Sequence, residues 1–191
     1  MRHRPPDHIL PRRRLLLKGL ATASLGLHAV AARAARPGID ERHLSFHHTH
    51  TDERLQLAYY DGRAYIPLAL QRINWLLRDF RTGEAQVMDP QLFDILHALK
   101  VGCGGETFEI ISAYRSPATN DMLRKTGGGG VAKRSLHMDG RAIDIRMPGV
   151  STAHVRDVAI ELGMGGVGYY PESDFVHIDT GTVRSWGSRA A

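Results

Sequence analysis

Ser135-Leu136-His137-Met138-Asp139-Gly140-Arg141-Ala142-Ile143-Asp144 and Asp174-Phe175-Val176-His177-Ile178-Asp179-Thr180-Gly181 are the two stretches on which the reading of this chain turns. Each sets a histidine, an acid and a glycine among residues typical of a strand. In the first, the turn-forming pair Asp139-Gly140 leads into a strand from Ala142 to Arg146. Strand alternation puts Ala142, Asp144 and Arg146 on one face, with Ile143 and Ile145 on the other. In the second, Phe175, His177 and Asp179 share one face, and Val176 and Ile178 point the opposite way. Two such strands lying side by side would bring His137, Asp144 and His177 to one point.

Two imidazoles and a carboxylate suit Zn²⁺, and three protein ligands leave a fourth position open. A structural zinc site would need a fourth protein ligand, usually a cysteine, and the sequence has a single cysteine, Cys103. The donor set therefore reads as a catalytic zinc site, one ion per chain. The competing reading makes His137 and His177 ordinary polar residues beside a sheet. It is disfavoured because two motifs coincide with strand patterns and glycine turns.

Ser-x-His-x-x-Gly-x-Ala-x-Asp followed by Asp-x-x-His resembles the D-Ala-D-Ala branch of the LAS-type zinc peptidases, a group that also contains the hedgehog signalling domain. Further blocks narrow the resemblance: Ser112-Ala113-Tyr114-Arg115-Ser116, Gly165-Gly166-Val167-Gly168-Tyr169-Tyr170-Pro171 and Phe175 to Gly181. With them the chain is similar to the YcbK-like periplasmic murein endopeptidases, from about Leu44 to Trp186. The resemblance implies zinc on His137, Asp144 and His177, an acid at position 174 as general base, and an arginine at 115 that steadies the substrate. Lysostaphin relatives carry a His-x-His pair at the third ligand; here Phe175 stands two before His177, so that branch does not fit.

Residues 1–34 read as an export leader. Arg13-Arg14-Leu15-Leu16-Leu17-Lys18 fits a twin-arginine pattern, a modest apolar run covers Gly19 to Val30, and Ala32-Arg33-Ala34 resembles an A-x-A cleavage site. About a dozen apolar residues cannot span a hydrocarbon core that needs ~20. No other long apolar run follows, so no membrane span is expected once the leader is removed. The leader holds seven of the 25 Lys/Arg and one of the 20 Asp/Glu, which leaves residues 35–191 with 18 against 19, a net charge of −1. The sequence pI of about 9.7 thus belongs to the leader, and nucleic acid is not an expected partner. The remaining 157 residues suffice for one catalytic domain with a core, expected to be a periplasmic monomer. With one cysteine, no disulfide can form within the chain.

The order of elements predicts an α+β fold, hedgehog/D-Ala-D-Ala-peptidase-like. Strands fill Leu44 to Tyr65, with Asp61-Gly62 as a hairpin-type turn. A helix opens at Pro67 with Leu70, Ile73, Leu77 and Phe80 as its core stripe. Asp89-Pro90 caps a second, with Leu92, Phe93, Leu96 and Leu99 inward. Thr107 to Ala113 is a strand, Ala118 to Lys125 a short helix, and Gly127-Gly128-Gly129-Gly130 a flexible connection. Ser151 caps a helix to about Leu162, and a terminal hairpin follows. The expected result is an antiparallel sheet with helices mainly on one side and the metal cleft on the other. His47-His48-x-His50 reads as solvated histidines at a hairpin tip.

Amide hydrolysis needs a nucleophile, a stabiliser for the oxyanion and a proton carrier. Asp174 is the expected general base, provided that it still belongs to the Pro171-Glu172-Ser173 turn. Asp179 is the fallback, or else a partner that holds an imidazole. Arg115 is expected to bind a substrate carboxylate or the oxyanion, and Ser135 to hydrogen-bond the peptide. Export and resemblance together imply the peptide cross-links of peptidoglycan as substrate. A D,D-carboxypeptidase and a non-catalytic wall-binding module remain the alternatives.

Overall fold

The computed structural model describes Met1 and residues 40–126 and 132–187; apart from Met1, the expected leader lies outside them, as does the Gly127–Gly130 connection. Seven strands form one sheet in the order β2-β1-β3-β4-β6-β5-β7. They are β1 (Glu41–His48), β2 (Arg54–Asp61), β3 (Phe108–Ser112), β4 (Ala142–Arg146), β5 (Gly166–Tyr170), β6 (Phe175–Asp179) and β7 (Arg184–Gly187). The helices are α1 (Pro67–Leu76), α2 (Pro90–Cys103), α3 (Pro117–Thr126) and α4 (Thr152–Leu162). The fold is α+β, as expected. The sheet is mostly antiparallel, but β1 pairs with β3 and β5 with β7 in parallel. Both exceptions arise because an intervening hairpin strand, β2 or β6, turns the chain back before it rejoins the sheet.

One face of the sheet is apolar. Leu44, Phe46, Phe108, Ile110, Ile143, Ile145, Val176 and Ile178 alternate with polar neighbours and are essentially sealed from solvent. Against them pack Ile73 and Leu77, the α2 stripe Leu92, Phe93, Leu96 and Leu99, and Val155 and Ala159 of α4. Truncating one of these large side chains would cost about 2–5 kcal/mol, because such an interior cannot collapse into the void. The caps form as the sequence suggests: Asp89 accepts from the Gln91 amide and Ser151 from the His154 amide. α1 ends a turn earlier than its stripe predicts, at Leu76.

His48 departs from expectation. It continues the Leu44, Phe46 alternation, so it points to the apolar face and is 1% exposed. Burial pushes its pKa down to about 4, so it is neutral at physiological pH. His50 stacks on Phe80 at 4.1 Å, and His47 lies 2.7 Å from the Asp52 carboxylate. His48 and His50 thus both pack on Phe80, while His47 turns to Asp52.

Asp79 anchors the loop that carries Arg115. It is 1% exposed and accepts hydrogen bonds from the Ser116 amide at 2.9 Å and the Arg81 amide at 3.0 Å. Beside it the Tyr114 amide donates to the Leu77 carbonyl at 3.1 Å. Burial alone would raise the Asp79 carboxyl, but hydrogen bonds from Thr119, Ser116 and Arg81 outweigh it and hold the group below its ordinary value. A depressed folded pKa means that its stabilisation is complete above the ordinary carboxylate range and is lost as pH falls through the lower folded value. Asp79→Ala strands the buried Ser116 amide and frees the part-buried Arg81 amide, and is expected to lower unfolding free energy at pH 7 by about 1–3 kcal/mol. Urea titrations at pH 7 and pH 3 check this. The variant should lose less stability between the two pH values than the parent, and equal losses would refute the assignment.

Candidate metal centre

The polar face of the same sheet carries the site. β4 and β6 pair with Asp144 opposite His177, while Ile143 and Ile145 face Ile178 and Val176 on the core side. His137 comes from a tight turn in which the Met138, Asp139 and Gly140 amides donate to the Ser135, Leu136 and His137 carbonyls. Gly140 closes this turn at φ +67°, and a Cβ there would collide with the Val87 carbonyl, so both conformation and space demand glycine.

Three donor atoms meet. His137 Nε2 lies 3.2 Å from Asp144 Oδ1 and 3.2 Å from His177 Nδ1, and His177 Nδ1 lies 2.9 Å from Asp144 Oδ1. Ligands at ~2.0–2.1 Å around a tetrahedral ion would be separated by roughly 3.3 Å, close to these values. The far ring nitrogens fix the tautomers. His137 Nδ1 is 2.6 Å from the Ala113 carbonyl, which only accepts, so Nδ1 carries the proton and Nε2 a lone pair. His177 Nε2 is 3.0 Å from Asp179 Oδ2, so its proton sits there and Nδ1 turns a lone pair to the same point. Two lone pairs and a carboxylate oxygen facing one another repel unless a cation or proton lies between them. The group fits a metal ion.

The electrostatics agree. Burial opposes the charge on Asp144, yet the two imidazoles outweigh it and hold the carboxyl far below its usual range. Burial pushes His137 down. Burial would also lower His177, but hydrogen bonds to Asp144 and Asp179 overcome it and push it up to about 8. Arg115 donates from Nη2 to Asp144 Oδ2, the oxygen turned away from the imidazoles, and from Nε to Ser112 Oγ at 2.9 Å. Its own amide donates to the His137 carbonyl at 3.2 Å. A cleft of ≈ 410 Å³ opens over the cluster, with Arg115, Arg134 and Ser135 among its lining and Tyr170, Phe175 and Trp186 as an aromatic wall.

The chain falls into a known family at this point. The family described as "Peptidoglycan L,D-endopeptidase MepK" matches residues 36–186, and His137, Asp144 and His177 all lie within that span. The chain belongs to this family. A MepK relative in Escherichia coli K12, named as a peptidoglycan L,D-endopeptidase, is 39% identical over 176 residues, covering 92% of this chain and 96% of the relative. A relative named "Probable peptidoglycan L,D-endopeptidase MepK" in Haemophilus influenzae is 39% identical over 178 residues, 92% of this chain and 94% of its own length. No solved structure matches the chain. The MepK family is one of enzymes, so the wall-binding module without activity is set aside.

Asp174 stands outside the residues that line this cleft. It adopts the left-handed region at φ 51° after a single 3₁₀ turn, Pro171–Ser173. That turn does not swing its carboxylate into the cleft. It accepts from Thr152 Oγ1 at 3.1 Å and lies 3.5 Å from an Arg146 guanidinium nitrogen, with 60% of the side chain exposed. The acids that line the cleft, among the described residues, are Asp144 and Asp179. Asp179, the fallback, is fully buried against His177. The sequence reading missed Arg184, which binds both oxygens of Asp179, at 3.1 and 2.7 Å. Asp174→Asn keeps the Thr152 contact and touches nothing in the cleft. It is expected to leave hydrolysis and metal content within about threefold of the parent and stability within about 0.5 kcal/mol. Kinetics of the purified variant check this; a loss of ~10²-fold or more, with metal retained, would make Asp174 the general base.

Proposed function

We propose that the chain is a zinc-dependent peptidoglycan endopeptidase exported to the periplasm, with His137, Asp144 and His177 holding one ion. The observation that carries this reading is the meeting of His137 Nε2, Asp144 Oδ1 and His177 Nδ1, with both imidazole protons fixed on the far side. Zinc bound there supplies Lewis-acid polarisation of the scissile carbonyl and activation of the attacking water. The remaining work belongs to the chain. Arg115 binds Asp144 and orients it, and the guanidinium edge at the cleft wall faces the developing oxyanion. Ser135 lines the cleft one turn from His137 and hydrogen-bonds the peptide backbone. Tyr170 and Phe175, stacked at 4.6 Å, support the apolar stems. Asp179 holds the Nε2 proton of His177 and is a positioning residue.

The named activity of the relatives, cleavage of an L,D bond, bears on the substrate. A cross-link between two diaminopimelate residues joins an L-centre carbonyl to an amine on a D-centre, whereas a link from D-alanine joins two D-centres. We therefore assign the diaminopimelate–diaminopimelate link as the substrate. Purified protein incubated with isolated sacculi, with zinc or with chelator, tests this by muropeptide mapping. Dimers with that link should disappear only when zinc is present. Loss of D-alanine-linked dimers instead would move the substrate, and loss of terminal D-alanine alone would make the enzyme a carboxypeptidase. Removing one ligand by His177→Ala is expected to leave less than about a tenth of the zinc, read by metal analysis of the folded variant. Full occupancy would remove His177 from the ligand set.

Export rests on the leader. We propose that residues 1–34 direct the twin-arginine route and are cleaved after Ala34, leaving residues 35–191 as the enzyme. That route carries folded proteins, and ligands 33 residues apart (Asp144 and His177) form a site only after folding, so zinc can be loaded before export. Replacing Arg13 and Arg14 by Lys should hold the precursor inside the cell in fractionation experiments. Undiminished mature protein in the periplasm would defeat the route.

A further inference from the structure

The last strand reaches across its neighbour. β7 pairs in parallel with β5, setting Arg184 beside Gly166 and Trp186 beside Gly168. β5 in turn pairs with β6, setting Gly166 beside Asp179 and Gly168 beside His177. Two rows therefore cross three strands: Asp179–Gly166–Arg184 and His177–Gly168–Trp186. In each row the middle residue has no side chain, and the outer one leans over it. A Cβ on Gly166 would collide with the Arg184 guanidinium and lie 2.5 Å from Asp179 Oδ2. A Cβ on Gly168 would lie 2.6 Å from the Trp186 ring.

What the two side chains reach is the metal ligand and its support. Arg184 donates to both oxygens of Asp179, and the Gly166 and Gly181 amides donate to Oδ1 at 3.2 and 2.8 Å. Asp179 is 0% exposed, so these donors and the His177 imidazole hold its charge inside the protein. Trp186 lies 5.2 Å from the His177 ring, centroid to centroid, carries the Arg184 guanidinium at 4.8 Å, and donates from Nε1 to Tyr170 Oη at 3.0 Å. Two sides of the imidazole are thereby governed by one edge strand: its Nε2 proton through Asp179, and its ring through Trp186.

We propose that β7 is a clamp on the metal centre, with Arg184 a positioning residue that acts through Asp179 to hold His177 in the tautomer and orientation that bind zinc. The inference rests on the zinc reading above. It assigns work to Gly166 and Gly168 as well, as the open places across which the clamp closes. A planar fork that spans both carboxylate oxygens fixes the carboxylate plane, which a point charge does not.

The test measures zinc affinity by competition with a chromophoric chelator, at a temperature where circular dichroism shows each protein folded. Arg184→Ala is expected to bind zinc about 10–100-fold more weakly than the parent. Arg184→Lys, which keeps the charge and loses the fork, should fall between the two and covers the case in which the alanine variant does not fold. A double-mutant cycle separates this role from a merely structural one. If Arg184 acts through Asp179, adding Arg184→Ala to Asp179→Asn should weaken zinc no further than Asp179→Asn alone. Proton–nitrogen spectra of the zinc-free proteins give a readout independent of metal: the His177 Nε2–H signal of the parent should be lost or shifted in Arg184→Ala. Parent-like affinity in both Arg184 variants, or additive losses in the cycle, would overturn the proposal while leaving the zinc site in place. A parent protein that binds no zinc would overturn both.

Discussion

The site depends on the register in which β4 and β6 pair. Asp144 opposes His177, and a slip of one residue would turn every side chain on the slipped strand to the other face. What forbids the slip lies on the opposite side of the sheet. Ile143, Ile145, Val176 and Ile178 are each at most 1% exposed and pack against the helices. Exposing four such side chains would cost several kcal/mol, about 1.5–3 for each. The apolar core therefore sets the distance between a carboxylate and an imidazole that it never touches.

The same register concentrates charge where water is scarce. An uncompensated buried carboxylate would cost several kcal/mol, so each of the two cleft acids has its own guanidinium. Arg115 takes Asp144, and Arg184 takes Asp179. The two pairs are built differently. Arg115 rises from the loop that Asp79 anchors, whereas Arg184 stands on a strand and reaches over a glycine. Arg115 takes Oδ2 of Asp144 and leaves Oδ1 turned to the two imidazoles, whereas Arg184 shares Oδ2 of Asp179 with the His177 imidazole.

How much of this was legible in the sequence follows from how local each relation is. Strand alternation has a period of two, so Asp144 and His177 were correctly placed on one face from their neighbours alone. The α2 and α4 caps are equally local. The direction of Asp174 was not legible, because it depends on one left-handed residue after a 3₁₀ turn, and composition does not specify where such a turn releases the chain. His48 was readable but missed: it is the third member of the alternation Leu44, Phe46, His48, and the polar histidine cluster around it drew attention away from the period. Arg184 and Trp186 lay beyond local reading altogether. Their importance appears only when β7 joins β5 in parallel, a pairing between segments that are not adjacent in sequence. The one signal was the coincidence of Gly-x-Gly at 166 and 168 with Arg-x-Trp at 184 and 186. It becomes meaningful once the two strands are known to be neighbours.

Rigidity of the three donors follows from the same architecture. Asp144 and His177 stand on strands in the middle of the sheet, where backbone motion is most restricted. His137 does not; it belongs to a turn, and turns are ordinarily the more mobile parts of a fold. Here the turn is tied to the β3 end by two bonds of opposite sense, from His137 Nδ1 to the Ala113 carbonyl and from the Arg115 amide to the His137 carbonyl. A rotation that broke one would strain the other. The Arg115 side chain then closes the circuit by binding Asp144, so the loop histidine and the strand carboxylate are linked through a third residue. The three donors are in this way held together by the folded chain itself, and their mutual repulsion would be part of the attraction that a cation meets there.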